Sequence, residues 1–360
     1  MRVLYLMHVN WNWIRQRPHV LAEGLSRENQ VRLMHFAMYH KSHRAAECPP
    51  PFPTNVLWRL PERLLQLGLT FEYFNAKLLK HQVYTQMRSF KPDVVWVTHP
   101  VFEPAVRDSN GCSVIYDCMD DHLAFNAVTA ESLAQAEDRL VQRADLTIFS
   151  SRTLADRVIQ RSSVRRAEII NNGVADSLLD RSPLIPANGG NGKGLVLGYF
   201  GTISHWFDWQ LIMRVLESMP DARLRLAGPV ETAIPIHPRI EHVGILPHAS
   251  LTGFVKLCNV MIMPFIVNHL IEAVDPVKLY EYIAYGLPSL APRYSETTRF
   301  APWVNLYENG DDAVRILNNI SCSPRDSWSF EERQDFLRSN SWTLRYTNIS
   351  RVLQEVRHGA

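Results

Sequence analysis

Apolar runs that favour β-strands alternate with amphipathic runs that favour α-helices along most of this 360-residue chain. Because neighbouring parallel strands need a long crossover connection, usually a helix, this alternation predicts a parallel sheet with helices on both faces. In the first half the predicted strands and helices occupy residues 2–7, 16–26, 31–37, 77–90, 93–98, 113–117, 130–143, 146–150, 154–160 and 168–171.

A second series begins after residues 185–194, a stretch rich in proline, asparagine and glycine that is typical of a linker. Its predicted elements occupy residues 195–200, 209–217, 222–227, 240–243, 251–258, 260–263, 276–285 and 289–291. Two such series predict an α/β chain with two Rossmann-like domains facing a cleft. We expect the first domain at residues 1–173, the second at 174–342, and a C-terminal helix in 343–360 that packs back on the first domain.

The composition, with 46% hydrophobic and 21% charged residues, is that of a globular protein. The five cysteines are odd in number and form no Cys-x2-Cys pair, so neither a disulfide framework nor a zinc site is indicated. The opening run Arg-Val-Leu-Tyr-Leu-Met is too short for a signal peptide, and no apolar run reaches the roughly 18 residues of a membrane span. We therefore expect a cytoplasmic protein.

Residues 41–91 carry eight basic and three acidic side chains. No zinc-finger, RNP or helix-turn-helix pattern accompanies them, so nucleic acid is not the predicted partner. Within residues 58–80, aromatic and apolar side chains are interleaved with basic ones, which suits peripheral contact with anionic lipid on the inner face of the cell membrane. The alternative is an ordinary amphipathic helix packed on its own domain.

The helix predicted at residues 276–285 has well-marked ends. Asp275 is a good N-cap, Pro276 suits the first helical position, and Gly286 followed by Pro288 ends the helix. The face that we expect to meet the core comprises Tyr280, Ile283, Ala284 and Leu287.

Lys278 and Glu281 share a different face of this helix. A lysine in the first turn opposes the helix dipole, unless an anion such as a diphosphate binds there to both the free N–H groups and the ammonium. Glu281, one turn further on, would then accept hydrogen bonds from a vicinal diol such as a ribose. The alternative is a surface pair of opposite charges.

The run Pro-Val-Lys-Leu-Tyr-Glu-Tyr-Ile-Ala-Tyr-Gly-Leu-Pro resembles the nucleotide-binding helix of GT-B glycosyltransferases, in the family 4-like group that includes bacterial polysaccharide and teichuronic-acid enzymes. The resemblance places Glu281 at the second glutamate of the family's Glu-x7-Glu motif, which binds the ribose of the sugar nucleotide. The first glutamate falls on Ala273, so the motif is incomplete, and Glu272 or Asp275 would have to replace it.

The resemblance also implies other donor contacts. It places the phosphate-binding loop at Gly201-Thr202 and His205, the base pocket at Gly244-Ile245, and the transferred sugar near Pro264 and Glu272. Leu279 lies beside Lys278 in the motif and is included in the predicted site. A glycine followed by small polar residues at a strand end can bring backbone N–H groups against a phosphate, although strand-ending glycines also occur in plain turns.

The predicted strand at residues 113–117 is followed by Asp120, Asp121 and His122. Like-charge crowding raises the pKa of one carboxyl group, which suits a general base, whereas an aspartate in this place also caps a following helix. By resemblance, this loop carries the catalytic base or a sugar-contacting histidine. We predict that Asp120 is the base and Asp121 the cap, with His122 as the next candidate for the base.

The loop after the first predicted strand supplies candidates for binding the acceptor. Trp11 and Trp13 offer stacking faces for a sugar ring, and Arg15 and Arg17 could meet a phosphate of a lipid-linked acceptor. Core packing is the alternative for the tryptophans. The histidines at positions 35, 40 and 43 do not have a metal-binding spacing.

The resemblance therefore implies a hexosyltransferase that moves a sugar from a nucleotide sugar, a UDP sugar by preference, to a hydroxyl of a lipid-linked or growing cell-surface glycan. It implies no cofactor and no metal ion, and the sequence has no Asp-x-Asp motif to hold a divalent ion. Two alternatives remain: a sugar-nucleotide epimerase of the same fold, and a catalytically silent glycan-binding partner subunit.

Overall fold

A computed structural model describes residues 1–37, 49–60, 69–107, 109, 111–124, 130–184, 194–322 and 328–358. It divides the chain into two compact units, Met1–Asn171 with Arg345–Ala360, and Asn172–Leu344. Most of the predicted linker, His40, His43, Cys48 and part of the predicted membrane segment lie outside the described residues.

The first unit is built on a seven-stranded parallel sheet. Its strands are β1 Arg2–Met7, β2 Gln30–Phe36, β3 Thr54–Leu57, β4 Val94–Val97, β5 Ser113–Cys118, β6 Leu146–Phe149 and β7 Ala167–Ile169. Their order in the sheet is β3-β2-β1-β4-β5-β6-β7. Its helices are α1 Arg17–Ser26, α2 Leu69–Phe90, α3 Glu103–Val106, α4 Ala130–Arg143 and α5 Arg152–Arg161, with short 3-10 turns at Pro100–Phe102 and His122–Ala124.

The second unit is built on a six-stranded parallel sheet. Its strands are β8 Val196–Phe200, β9 Arg223–Ala227, β10 Ile240–His242, β11 Val260–Ile262, β12 Ser289–Pro292 and β13 Asn305–Tyr307, in the order β10-β9-β8-β11-β12-β13. Its helices are α6 Trp209–Ser218, α7 Leu251–Val255, α8 His269–Glu272, α9 Val277–Tyr285, α10 Ser295–Thr298, α11 Gly310–Cys322 and α12 Phe330–Ser339. Short 3-10 turns lie at Asp176–Leu178 and His248–Ser250.

Both sheets have the strand order of a dinucleotide-binding fold, with the first strand of each unit beside the fourth. The predicted α/β class with two Rossmann-like domains is therefore confirmed. The order reverses between β1 and β4 in the first unit and between β8 and β11 in the second. Ligands of open parallel sheets bind at the carboxyl ends of the strands at such a reversal. We therefore expect one site after β1 and β4 and another after β8 and β11.

A last helix, α13 Trp342–His358, ends the chain and contacts the first unit. The Tyr346 hydroxyl donates to the Val20 carbonyl, and the ring lies where a side chain on Gly24 would have to be. Arg27 stacks on the same ring, 5.3 Å from its centroid. Glycine at position 24 is thus required by the close approach of Tyr346.

Several local predictions need correction. No strand is predicted at Thr54–Leu57, which is only four residues long and pairs with β2 at the edge of the sheet, nor at Asn305–Tyr307, which pairs with β12. The predicted helix at 251–258 is shorter, because it ends at Val255. None of the described helices is both long and apolar enough to cross a membrane.

Candidate active site

Helix α9 packs in the core of the second unit, and Gly286 and Arg333 stabilise its carboxyl end. Gly286 ends it in the left-handed conformation, with φ of 70°, as the glycine in the sequence predicts. Arg333, which is buried, donates to the carbonyls of Ile283 and Ala284 in the last turn. At the other end, Pro276 occupies the N-cap position and supplies no side-chain hydrogen bond. The first N–H groups therefore have no side-chain cap.

Asp275 is not the N-cap that the sequence predicted. Its carboxylate is fully buried, forms an ion pair with Arg299 and accepts a 2.5 Å hydrogen bond from the Asn172 amide. Arg299 in turn lies over the Phe300 ring. A carboxylate enclosed in this way holds the loop in place, and it cannot replace the missing first glutamate of the motif at a sugar.

Lys278 lies directly over the end of β8. A Cβ atom on Gly201 would stand 2.3 Å from Cε and 2.9 Å from Nζ of Lys278. Gly201 also has φ of 132°, which a residue with a side chain rarely adopts. The glycine thus lets the lysine reach the backbone of the first loop, and two predicted site residues 77 positions apart (278 − 201) come together.

The surroundings of the Lys278 ammonium are mainly aromatic. Nζ lies 5.7 Å from the ring centroid of Tyr199 and 5.6 Å from that of Phe265. Burial lowers the pKa of Lys278, and the Glu281 carboxylate opposes that shift. In the part of the chain that the structure describes, no carboxylate lies within ion-pair distance of this ammonium. The side chain is therefore ready for an anionic ligand.

Glu281 projects from the same helix with its side chain 16% exposed. His248, in the 3-10 turn before α7, brings Nε2 to 3.4 Å from its Oε1 atom. His248 is not among the site residues that the sequence predicts. The carboxylate keeps a second oxygen for a ligand such as a diol.

Three glycines, Gly201, Gly228 and Gly244, lie in the loops that follow the neighbouring strands β8, β9 and β10. The Gly201 amide donates to Ala227, and the Gly228 amide donates to Gly244. A Cβ atom on Gly228 would stand 2.2 Å from the Gly201 carbonyl oxygen. Glycine at position 228 therefore allows the loops after β8 and β9 to touch.

The other predicted donor residues differ in their accessibility. Thr202, His205, Ile245 and Glu272 are partly or fully exposed, with His205 against the Trp206 ring. Pro264 is buried and its carbonyl accepts from the Asp208 amide. Leu279 is fully buried in the core and cannot present its side chain to a ligand, which corrects its inclusion in the site.

In the first unit, Asp120 and Asp121 follow β5 as predicted and have different surroundings. Burial raises the pKa of Asp120 to about 7, with Asp117 and Asp121 adding to the rise and Arg17 opposing it. Asp121 forms an ion pair with Arg157 at 2.9 Å. One carboxyl group is thus placed to exchange a proton near neutral pH, and the other is held in an ion pair.

His122 belongs to a cluster of three histidines that we call the histidine cluster: His8, His99 and His122. The His122 ring centroid lies 4.2 Å from that of His99 and 5.5 Å from that of His8. Burial lowers the pKa of His122 to about 4, and it also lowers the pKa values of His8 and His99 well below their ordinary value. All three rings are therefore neutral at pH 7. His8 and His99 follow β1 and β4, on the two sides of the sheet's reversal.

Comparisons with known proteins bear on what these two sites do. No protein-family model matches the chain. A proposed teichuronic acid biosynthesis glycosyltransferase, TuaH of Bacillus subtilis (strain 168), is 25% identical over 288 residues, which cover 71% of this chain and 72% of TuaH. The structure of sucrose-phosphate synthase from Thermosynechococcus elongatus matches with a TM-score of 0.78 and 13% identity over 100% of both chains.

HepE of Anabaena, solved in complex with UDP and glucose, matches with a TM-score of 0.69 and 14% identity over 98% of this chain and 99% of HepE. The chain has the two-domain fold of the GT-B glycosyltransferases. Together these similarities support glycosyl transfer as its reaction class, and they agree with the resemblance seen in the motif helix.

Two of the acceptor residues predicted for this GT-B chain prove to be structural. Trp11 is 5% exposed and packs against His19 and Phe52, so it has no free face for a sugar ring. Arg17 is buried and pairs with the fully buried Asp117 at 2.8 Å. Trp11 therefore belongs to the core, and Arg17 belongs to a buried ion pair.

The other two acceptor candidates are more accessible. Arg15 is exposed and forms an ion pair with Glu23. Trp13 lines a pocket of about 220 Å³ at the carboxyl ends of β1, β2 and β3. Four further residues lie at or near the carboxyl ends of strands in this sheet and are not among the predicted site residues: His8, Asn10, Arg59 and His99. The rule that residues just after parallel strands bind ligands would have found His8 and His99.

Proposed function

We propose that this chain transfers a hexosyl group from a UDP sugar to a hydroxyl group of a lipid-linked or growing cell-surface glycan. The observation that carries the proposal is the position of Lys278 over Gly201. A cation without a carboxylate partner in the described structure, next to a glycine loop at a sheet reversal, suits a diphosphate. Glu281 is the group that would accept hydrogen bonds from the ribose hydroxyls.

The choice of donor and acceptor rests on the relatives. HepE was solved with UDP and glucose, which supports a UDP sugar as the donor of this chain. TuaH is named for teichuronic acid biosynthesis, which supports an acceptor belonging to a cell-envelope polymer.

In the proposed reaction, Asp120 in its ionised form takes the proton of the acceptor hydroxyl. The acceptor oxygen then forms a bond to the anomeric carbon while the bond from that carbon to the diphosphate oxygen breaks. UDP leaves with the bonding electrons, and the Lys278 ammonium stabilises its charge. We propose that no metal ion and no cofactor is needed, because Lys278 supplies the positive charge at the leaving group.

The proposed site of work is the inner surface of the cell membrane. Helix α2 displays Tyr73, Phe74, Leu78 and Tyr84 to solvent, each between 38% and 57% exposed. Lys77 stacks on Tyr73, and Arg88 on Tyr84. Aromatic rings beside cations on one exposed helix surface suit the interface of an anionic bilayer.

Calorimetry with UDP tests the donor site. Loss of a charge-assisted hydrogen bond costs about 1.5–3 kcal/mol, so Lys278→Ala and Glu281→Ala should each weaken UDP binding roughly tenfold to hundredfold. Lys256→Ala, which removes an exposed lysine of the same unit, serves as the control and should bind UDP normally. Unchanged affinity in both site variants would refute the proposed donor site.

Turnover assays separate the proposal from its two alternatives. A glycosyltransferase releases UDP in proportion to the acceptor that it glycosylates, whereas an epimerase converts the sugar nucleotide without an acceptor. A silent subunit binds UDP without turnover. EDTA should leave the rate unchanged if the transfer needs no metal ion.

A further inference from the structure

The loop after β8 is tied to the loop after β9 on both sides of Thr202. The Gly201 amide donates to the Ala227 carbonyl at 2.8 Å. The Ile203 amide donates to the Pro229 carbonyl, also at 2.8 Å. No hydrogen bond from the Thr202 amide between them is found among the described residues, and Thr202 is partly exposed. A backbone N–H group in such a loop is suited to a phosphate oxygen.

Tyr199, in β8, holds the peptide group that follows Thr202. Its hydroxyl donates to the Thr202 carbonyl at 2.7 Å. Burial raises the pKa of Tyr199, so the hydroxyl keeps its proton and donates throughout the neutral pH range. The Thr202 carbonyl and the Ile203 amide belong to one planar peptide group, which is therefore bonded at both ends. The backbone of Thr202 is thus fixed by a side chain that lies beneath the loop.

The ring of Tyr199 also supports the lysine of the donor site. The Lys278 ammonium lies over the rings of Tyr199 and Phe265, and an aromatic face attracts a cation. Phe207 and Phe265 meet the Tyr199 ring edge-on, with centroids 5.1 Å and 6.1 Å away. All three rings are buried. The surface on which the ammonium lies is therefore a packed part of the core.

The hydroxyl of Tyr199 and the ammonium of Lys278 approach the same point of the loop. The position that a Cβ atom on Gly201 would occupy is 3.3 Å from the Tyr199 hydroxyl oxygen and 2.9 Å from Lys278 Nζ. One tyrosine therefore contacts the loop through its hydroxyl and the lysine through its ring. Tyr199 is not among the site residues that the sequence predicts.

We propose that Tyr199 is a positioning residue of the donor site, which holds the Thr202 amide and the Lys278 ammonium in place for the diphosphate of the UDP sugar. A donor and a cation that are fixed before the ligand arrives lose little freedom on binding, which favours affinity. The inference rests on the proposed function and specifies how its donor diphosphate is held.

A comparison of UDP with uridine, which lacks the diphosphate, tests this role in Tyr199→Phe. The substitution removes the hydroxyl and keeps the ring. UDP affinity should fall about threefold to tenfold, as expected for the loss of one hydrogen bond, while uridine affinity, measured by competition with UDP, stays unchanged. A purely structural role would not separate the two ligands. Equal losses for UDP and uridine, or no loss for UDP, would overturn the inference.

Tyr116→Phe is the matched control. Tyr116 is a fully buried tyrosine of the first unit, and its hydroxyl donates to the Glu137 carboxylate at 2.5 Å. Removing this hydroxyl should lower the melting temperature and leave the affinities for UDP and uridine unchanged. If the control weakened UDP binding as much as Tyr199→Phe, a general loss of stability would explain both results, and the inference would be overturned.

Labelling with ¹⁵N-threonine gives a second measurement, on wild-type protein, that does not depend on the folding of Tyr199→Phe. The Thr202 amide resonance is assigned by its absence in Thr202→Ser. It should shift when UDP is added and shift much less with uridine, because the diphosphate is the group that meets this amide. A Thr202 resonance that responds equally to both ligands would contradict the proposed role.

The wild-type titrations separate this inference from the proposed function. If UDP binds no more tightly than uridine, the proposed diphosphate site fails, and the role of Tyr199 fails with it. If UDP binds more tightly than uridine and Tyr199→Phe keeps the whole difference, only the role of Tyr199 fails and the donor site is retained.

Discussion

The amine nitrogen of Lys278 lies 2.9 Å from the position that a Cβ atom on Gly201 would occupy. The loop after β8 and the first turn of α9 are thereby joined into one surface, with a cation above a glycine backbone. A phosphate bound there would contact both elements at once.

Replacing Gly201 should therefore disturb ligand binding more than folding. Gly201→Ala introduces a methyl group against Lys278 and a residue that tolerates φ of 132° poorly, at a cost of about 1–3 kcal/mol in stability. We expect UDP affinity to fall at least about tenfold, because Lys278 must move. Gly253→Ala, where an added Cβ meets nothing within 4 Å, should bind UDP normally in the same calorimetric titration.

The raised pKa of Asp120 predicts the pH dependence of the reaction. Because a base works when ionised, kcat/KM should rise with pH up to about 7, the pKa set chiefly by burial, and then level off. Asp120→Asn should lower turnover by about 10²–10⁴-fold without changing UDP affinity. Asp121→Asn should keep the pH profile and lower the melting temperature, since it breaks the pair with Arg157. If both variants turn over normally, His122 becomes the next candidate for the base.

The Asp120 carboxyl group should make stability fall as pH rises, whereas it makes the reaction rate rise. Its folded-state pKa of about 7 lies above its ordinary value, so the folded state binds the proton more tightly and stability falls as pH rises from about 4 through 7. Above pH 7, the free energy of unfolding of Asp120→Asn, measured with denaturant, should exceed that of wild type by about 2–4 kcal/mol. A variant no more stable than wild type at pH 8 would contradict the raised pKa of Asp120.

The histidine cluster predicts sensitivity to acid. Burial holds the pKa of His122 at about 4, below its ordinary value, so the unfolded state binds the extra proton first. The stability from this neutral ring is complete above pH 6.5 and is lost as pH falls towards 4, by about 2 kcal/mol between pH 7.5 and 5. Urea unfolding at both pH values measures this loss. Between pH 7.5 and 5, the free energy of unfolding should fall by about 2 kcal/mol less in His122→Asn than in wild type. His81→Asn, an exposed histidine on α2, should behave as wild type.

The exposed surface of α2 predicts binding to lipid. Replacing Lys77, Lys80 and Arg88 with glutamine should reduce sedimentation with anionic liposomes, with about 1 kcal/mol lost for each charge near the surface. The control replaces Arg152, Arg223 and Lys256, which are exposed elsewhere, by glutamine. Equal sedimentation of the two triple variants with such liposomes would assign α2 to another role.

Several features of this protein are determined by the sequence alone. The two strand and helix series, the glycine that ends α9 and the core face of that helix all follow from patterns within about ten residues, because hydrophobic periodicity and turn chemistry act locally. The same local signals place Asp120 in a loop, and Lys278 and Glu281 in the first two turns of α9.

Only the tertiary structure decided which partner each charged or aromatic side chain has. Arg17 pairs with Asp117, a hundred residues away, and Asp275 turns from its own helix to Arg299. Trp11 is covered by Phe52, and Arg59, which follows β3, lies over the ring of Phe36 at the end of the neighbouring β2. Burial and electrostatic pairing depend on the order of strands in the sheet, which brings distant segments together. No local pattern in the sequence could therefore distinguish the buried Arg17 from the exposed Arg15 two residues before it.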